Sequence, residues 1–71
     1  MNPKAIGDRL TSLRGTRTQA EVAKAVGVSI SSIAMYENGQ RTPRDEVKIA
    51  LANYYGVDIA SLFYGADIRE K

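Results

Sequence analysis

The 71-residue sequence has no cysteine, no histidine and no tryptophan, and only two prolines and one phenylalanine. Without cysteine there is neither a disulfide framework nor a thiolate metal site. Without histidine the commonest general base and metal ligand is missing. There is also no glycine-rich phosphate loop and no carboxylate pair with an accompanying base. The chain therefore reads as a non-enzyme that needs no cofactor, metal or small-molecule ligand. Asp45-Glu46, the obvious acidic pair, is better explained as the negative first turn of a helix. No apolar run approaches the roughly 20 residues needed to cross a bilayer. The N-terminus lacks the charged-then-apolar order of a signal peptide, so the expected place of action is the cytoplasm. A chain this short buries only about 60% of its unfolded surface. Its stability is expected to come from packed helices and from pairing with a second copy.

The charge that is present is unevenly distributed. Residues 1–44 carry seven basic groups against three acidic ones, whereas residues 45–71 carry three against five. A basic part joined to an acidic part fits a face meant for a polyanion, although ordinary scatter of surface charge produces the same asymmetry.

Periodicity and punctuation predict five short helices and no strand, an all-α bundle. Ile6, Leu10 and Leu13 form one stripe over 4–14, ended by Gly15. Thr18 with Glu21 three residues later forms a capping box opening a helix over 19–26, and Gly27 ends it. Ser29 caps a third helix over 30–38, with Ile33 and Tyr36 on its inner face. Thr42 caps a fourth over 43–55, with Pro43 in its first turn and Val47, Leu51 and Tyr55 spaced by four. Asp58 caps a fifth over 59–64, anchored by Leu62 and Phe63. Residues 1–65 form the expected domain, and 66–71 a polar tail with one apolar residue, Ile68. Met1 and that tail read as the two ends of a whole chain; the alternative is a fragment of a longer protein.

The informative stretch is QAEVAKAVGVSISSIAMYEN, Gln19 to Asn38. Two helices joined by so few residues cross closely only if several conditions hold together. Ala23 is small where the second helix crosses the first. Gly27 tolerates positive φ in the turn. Val28 can plug the turn into the core. Val22, Val26, Ile33 and Tyr36 supply the two inner faces. These are the requirements of a helix-turn-helix.

Here the sequence resembles the Cro/CI family of phage and bacterial regulators, also called the xenobiotic-response-element family. TQAEVA, AVGVS and SIAMYENGQRTPR carry the resemblance, and ALANYYGVDIASLF resembles the family's fourth and fifth helices. The match spans roughly residues 6–64. The loop Gly15-Thr16-Arg17 is short for the family. The resemblance implies a lambda-repressor-like domain and a transcriptional regulator, in the first place a repressor, bound to double-stranded DNA through the third helix in the major groove.

Carried over position by position, Ile30, Ser31, Ala34 and Met35 would meet base edges, with Arg17, Gln19, Ser29, Asn38, Gly39, Arg41 and Arg44 on the backbone. Gln19 would donate to a phosphate beside the second helix's N-terminus, and Asn38 and Gly39 would offer main-chain N–H groups. Arg41 and Arg44 would pair with phosphate oxygens. The base-edge set contains no arginine, asparagine or glutamine, the residues with the strongest bidentate readings. Apolar contact with thymine methyls and water bridges would carry the reading instead. Tyr36 is read as core, and Glu37 as paired to an arginine such as Arg14 or Arg9. Lys4 and Arg9 are otherwise solvated helix charges.

The resemblance further implies a homodimer on a pseudo-palindromic operator, with recognition helices about 34 Å apart. Ile49, Ile59, Leu62, Phe63 and Tyr64, with Ile68, are the candidate interface. The rival reading is an antitoxin or other protein-interaction module with secondary DNA binding.

Overall fold

Asn2 opens the first helix: its Oδ1 accepts the N–H groups of Lys4 and Ala5 at 3.0 and 3.2 Å, and Pro3 fills the first helical position, where a missing N–H costs nothing. The computed structural model describes residues 2–64. Within them lie α1 (Pro3–Arg14), α2 (Gln19–Val26), α3 (Ile30–Glu37), α4 (Asp45–Tyr55) and α5 (Ile59–Phe63), with no strand. None of these helices is long and apolar enough to cross a membrane. The tail expected at 66–71, including Ile68, lies outside the described residues.

The core gathers one stripe from each helix: Ile6 and Leu10 of α1, Val22 and Ala23 of α2, Ile33 and Tyr36 of α3, Leu51 and Ala52 of α4, Leu62 and Phe63 of α5. Full burial of an Ile, Leu, Val or Phe side chain contributes about 1.5–3 kcal/mol. These residues therefore dominate the stability of so small a domain. Ala23 is buried where α2 meets α3, and Gly27 caps α2 in the left-handed region at φ 79°. The capping box at Thr18 and Glu21 closes in both directions, at 3.0 and 3.1 Å.

Three expectations change. The fourth helix begins at Asp45, not at Pro43, and Thr42 is not its cap; Arg44 is, with no side-chain bond. Pro43 is buried, so its ring packs the 41–44 segment against the body rather than opening a helix. Proline also holds the residue before it extended. Secondly, Leu62 and Phe63 are 2% and 0% exposed. Both side chains are spent closing the core, so neither is available to a second copy. Thirdly, Arg9 is not a solvated charge: its Nε donates to the Leu62 carbonyl at 2.8 Å, tying α1 to the end of α5. The remaining boundaries shift by a residue: α1 starts at Pro3, α3 ends at Glu37, and Tyr64 is the C-cap of α5.

Lys48, a charged residue that periodicity alone did not single out, is buried between α4 and α5. Its Nζ donates to the Tyr64 hydroxyl at 2.9 Å and lies 4.9 Å from that ring's centroid. Buried amines require such partners.

Candidate nucleic-acid interface

α3 has two dissimilar sides. Ile33 and Tyr36 are buried beneath it. On the other side Ile30 is 53% exposed, Ser31 is exposed, and Ala34 and Met35 are half-buried. The four residues expected at base edges thus share one outward strip, with neighbours on each of its two ridges (Ile30–Ala34 and Ser31–Met35) one helical turn apart.

The helix is held in this pose by Glu37. Its side chain is 5% exposed, and the carboxylate accepts three hydrogen bonds: from Arg14 Nε at 2.8 Å, Arg14 Nη2 at 3.2 Å and Gln19 Nε2 at 3.0 Å. One buried anion therefore ties the end of α3 to the end of α1 and the start of α2. The paired bond keeps the Arg14 guanidinium charged, its pKa raised above an already high ordinary value chiefly by the hydrogen bond to Glu37. Tyr55, packed nearby, also has a raised pKa, first because burial disfavours its phenolate and then because Glu37 is negative.

Gly7 permits the close approach of α1 to α3. A Cβ there would collide with the Glu37 carbonyl and come within 2.9 Å of the Tyr36 carbonyl. The sequence shows a glycine inside a helix, a residue that weakens helices; the reason for it becomes visible only once the helices cross. Gly39 has a similar role, with positive φ and a Cβ position 3.1 Å from Lys4 Cα.

The flanks of the strip differ from the expected picture in detail. Of the two hydrogens on the Gln19 amide nitrogen, one is engaged by Glu37 and the other remains available. The capping box satisfies Glu21 N–H, and the N–H groups of Gln19 and Ala20 stay open at the helix end. The main-chain N–H groups of Asn38 and Gly39 are not open: they donate to Ala34 O at 3.0 Å and Tyr36 O at 3.3 Å, closing the end of α3. Only the exposed Asn38 side chain can serve as a donor there. Ser29 acts as N-cap, accepting from Ser32 N and donating to Ser32 Oγ, both at 3.0 Å. Arg17 is drawn off to α4, with its guanidinium on the Leu13 carbonyl at 3.1 Å and 5.4 and 5.7 Å from the Tyr54 and Tyr55 ring centroids. Arg41 and Arg44 are exposed and line a polar cleft of 390 Å³ together with Ser29 and Ser32. Arg44 reaches Glu46 at 4.0 Å with both side chains largely in water, a contact worth little.

Of the residues expected between copies, Ile49 is 52% and Tyr64 46% exposed, and Ile59 is half-buried. Ile49 and Ile59 border one shallow groove where α4 meets α5.

Comparison with known proteins bears on the family and the fold. A 44-residue stretch is 43% identical to the cryptic phage CTXphi transcriptional repressor RstR of Vibrio cholerae, covering 62% of this chain and 40% of that protein. The chain thus spans well under half of that relative. The crystal structure of the clp gene regulator ClgR from Corynebacterium glutamicum superposes with a TM-score of 0.80 at 25% identity, over 93% of this chain and 72% of that one. Residues 13–62, from the end of α1 into α5, match the family described as helix-turn-helix, and the chain belongs to that family, of the Cro/CI type.

Proposed function

We propose that this chain is a sequence-specific, double-stranded-DNA-binding transcriptional regulator acting as a repressor, with α3 laid in the major groove. The observation that carries the reading is the outward strip Ile30, Ser31, Ala34 and Met35 on a helix whose other side is fixed in the core and whose end is pinned by Glu37. Such a helix presents its outer strip from a pinned place on the body, as groove docking requires.

In this reading the strip meets base edges. Gln19, with the open N–H groups at the start of α2, holds a phosphate on one flank. Arg41, Arg44 and the Asn38 side chain hold the backbone on the other, and the Ser29 hydroxyl joins them by turning its one hydrogen from Ser32 Oγ to a phosphate oxygen. Arg17 contributes charge from its place against Tyr54 and Tyr55. Gly39 acts through backbone geometry rather than as a donor. Affinity is largely electrostatic, each neutralised phosphate adding about 0.9 to the log–log salt slope. The chain acts as a homodimer on a pseudo-palindromic operator, pairing through Ile49, Ile59 and Tyr64. It works in the cytoplasm by occupying a promoter.

The test is selection of bound sites from random duplex DNA, followed by titration of the enriched duplex at low and high salt. The reading predicts a symmetric motif and steeply salt-dependent binding. No enriched duplex, or salt-insensitive binding, would refute it.

A further inference from the structure

We propose that α3 recognises thymine by its C5-methyl group, so that apolar contact through Ile30, Ala34 and Met35, not hydrogen bonding to base edges, carries the discrimination among sequences. The proposal rests on α3 entering the major groove and specifies what it reads there.

Bidentate reading of guanine or adenine requires an arginine fork or a side-chain amide. Of these groups beside the start and middle of α3, Arg14, Arg17 and Gln19 are held against the body of the protein, and the exposed Arg41 and Arg44 stand across a cleft from Ser29 and Ser32, where the proposed docking gives them to the DNA backbone. Arg14 places Nε and Nη2 on Glu37 and Nη1 on the Arg17 carbonyl at 2.8 Å. Gln19 faces Glu37, and Arg17 lies against α4. The hydroxyls of Ser29 and Ser32 bond each other. On the strip itself, Ser31 offers one rotatable hydroxyl, which bonds donors and acceptors alike and so discriminates weakly. Asn38 carries an amide, but it lies seven residues beyond Ser31, about 10 Å along the axis, where the chain turns into the 39–44 loop.

What the strip does offer is apolar surface. Ile30 leaves 53% of itself in water, on a helix with its core side already filled by Ile33 and Tyr36. Ala34 lies one turn on, about 6 Å, close to two base-pair steps at about 3.4 Å each. Met35 stands beside it, unbranched and able to reach an adjacent step. The apolar feature of a major-groove base edge is the thymine methyl. Cytosine has hydrogen at that position, and uracil differs from thymine by the methyl alone.

The test uses the duplex enriched by random selection. Each thymine is replaced singly by uracil, and binding is measured by fluorescence anisotropy at fixed salt for the intact chain and for Ile30→Ala and Met35→Ala. Both positions are at least partly exposed, and far-UV circular dichroism confirms that the variants fold. Two or more positions per half-site should lose about four-fold, the ratio equivalent to ~0.8 kcal/mol per buried methyl, and flanking thymines nothing. Each variant should reduce the loss to under about two-fold at the positions its side chain covers. Replacing such a thymine–adenine pair by cytosine–guanine should weaken binding, and 5-methylcytosine in place of that cytosine should restore part of it. Steeply salt-dependent binding with equal affinity for thymine and uracil everywhere overturns this inference and leaves the regulator reading intact. So does a full thymine preference that survives in both variants. Failure to enrich any duplex overturns both.

Discussion

Replacing Arg14 by methionine would leave the Glu37 carboxylate almost enclosed, with Gln19 as its remaining side-chain donor. The Glu37 side chain is 5% and the Arg14 side chain 22% exposed. Removing one member of a buried pair costs about 3–5 kcal/mol because the other charge is left uncompensated. The partial exposure of Arg14 and the surviving Gln19 bond place the expected cost at the lower end, about 3 kcal/mol. A chain of this length has a total stability on the order of 4–10 kcal/mol, so the loss is a large fraction of the whole. It should lower the melting temperature by roughly 12–24 °C, taking 4–8 °C per kcal/mol for domains of this size. Urea unfolding followed by far-UV circular dichroism measures it. Glu37→Met should cost about 2 kcal/mol, and the double variant should fall short of the sum by about 2 kcal/mol, the coupling expected of groups in direct contact. A coupling below about 0.5 kcal/mol would show that Glu37 does not hold α1 and α3 together, and the reasoning about how α3 is posed would fail with it.

Gly7→Ala gains about 1 kcal/mol of helix propensity but collides with the Glu37 and Tyr36 carbonyls; a net loss of about 2 kcal/mol is expected from overpacking, and a stabilised variant in urea melts would contradict the close crossing. Arg41→Ala should weaken binding to all duplexes alike and reduce the salt slope by about 0.9; a changed sequence preference would place Arg41 on bases instead. Because its phenolate is disfavoured in the folded state, Tyr55 retains its proton above the ordinary value of 10.0 at which the unfolded chain releases it. The unfolded state then binds fewer protons, so stability is full below about pH 10 and declines as the pH rises through the folded pKa. Tyr55→Phe should flatten that decline in alkaline urea melts, and an unchanged slope would refute the burial argument. Ile49→Glu should shift sedimentation equilibrium toward monomer while leaving circular dichroism unchanged; an unaltered association state would remove Ile49 from the proposed dimer surface.

Local chemistry was legible in the sequence where it acts through neighbours in the chain. The Thr18–Glu21 box, the Gly27 turn, the Ser29 and Asp58 caps and the inward pair Ile33 and Tyr36 all depend on residues within one helical turn, and the structure bears each out. The features that were missed depend on distance in sequence. Arg9 meets Leu62 across 53 positions, and Gly7 has its reason in α3. The Arg14–Glu37 pair, 23 positions apart, was anticipated as one of two partners, because an acidic residue beside a proposed polyanion surface requires a cation. Pro43 and Thr42 carried a legitimate helix-start signal, which lost to the burial of the proline ring. Leu62 and Phe63 were ambiguous because an apolar pair on a short helix suits a core and an interface equally, and in a chain of this size the core takes them.

The central claim is that the outward strip of α3 enters duplex DNA. It is tested most directly by methyl and amide NMR titration of the intact chain with its selected duplex. The account predicts intermolecular contacts at Ile30, Ser31, Ala34 and Met35, with shift changes extending to Gln19, Arg41 and Arg44. Shift changes confined to the Ile49, Ile59 and Tyr64 face, with the α3 strip unperturbed, would contradict it.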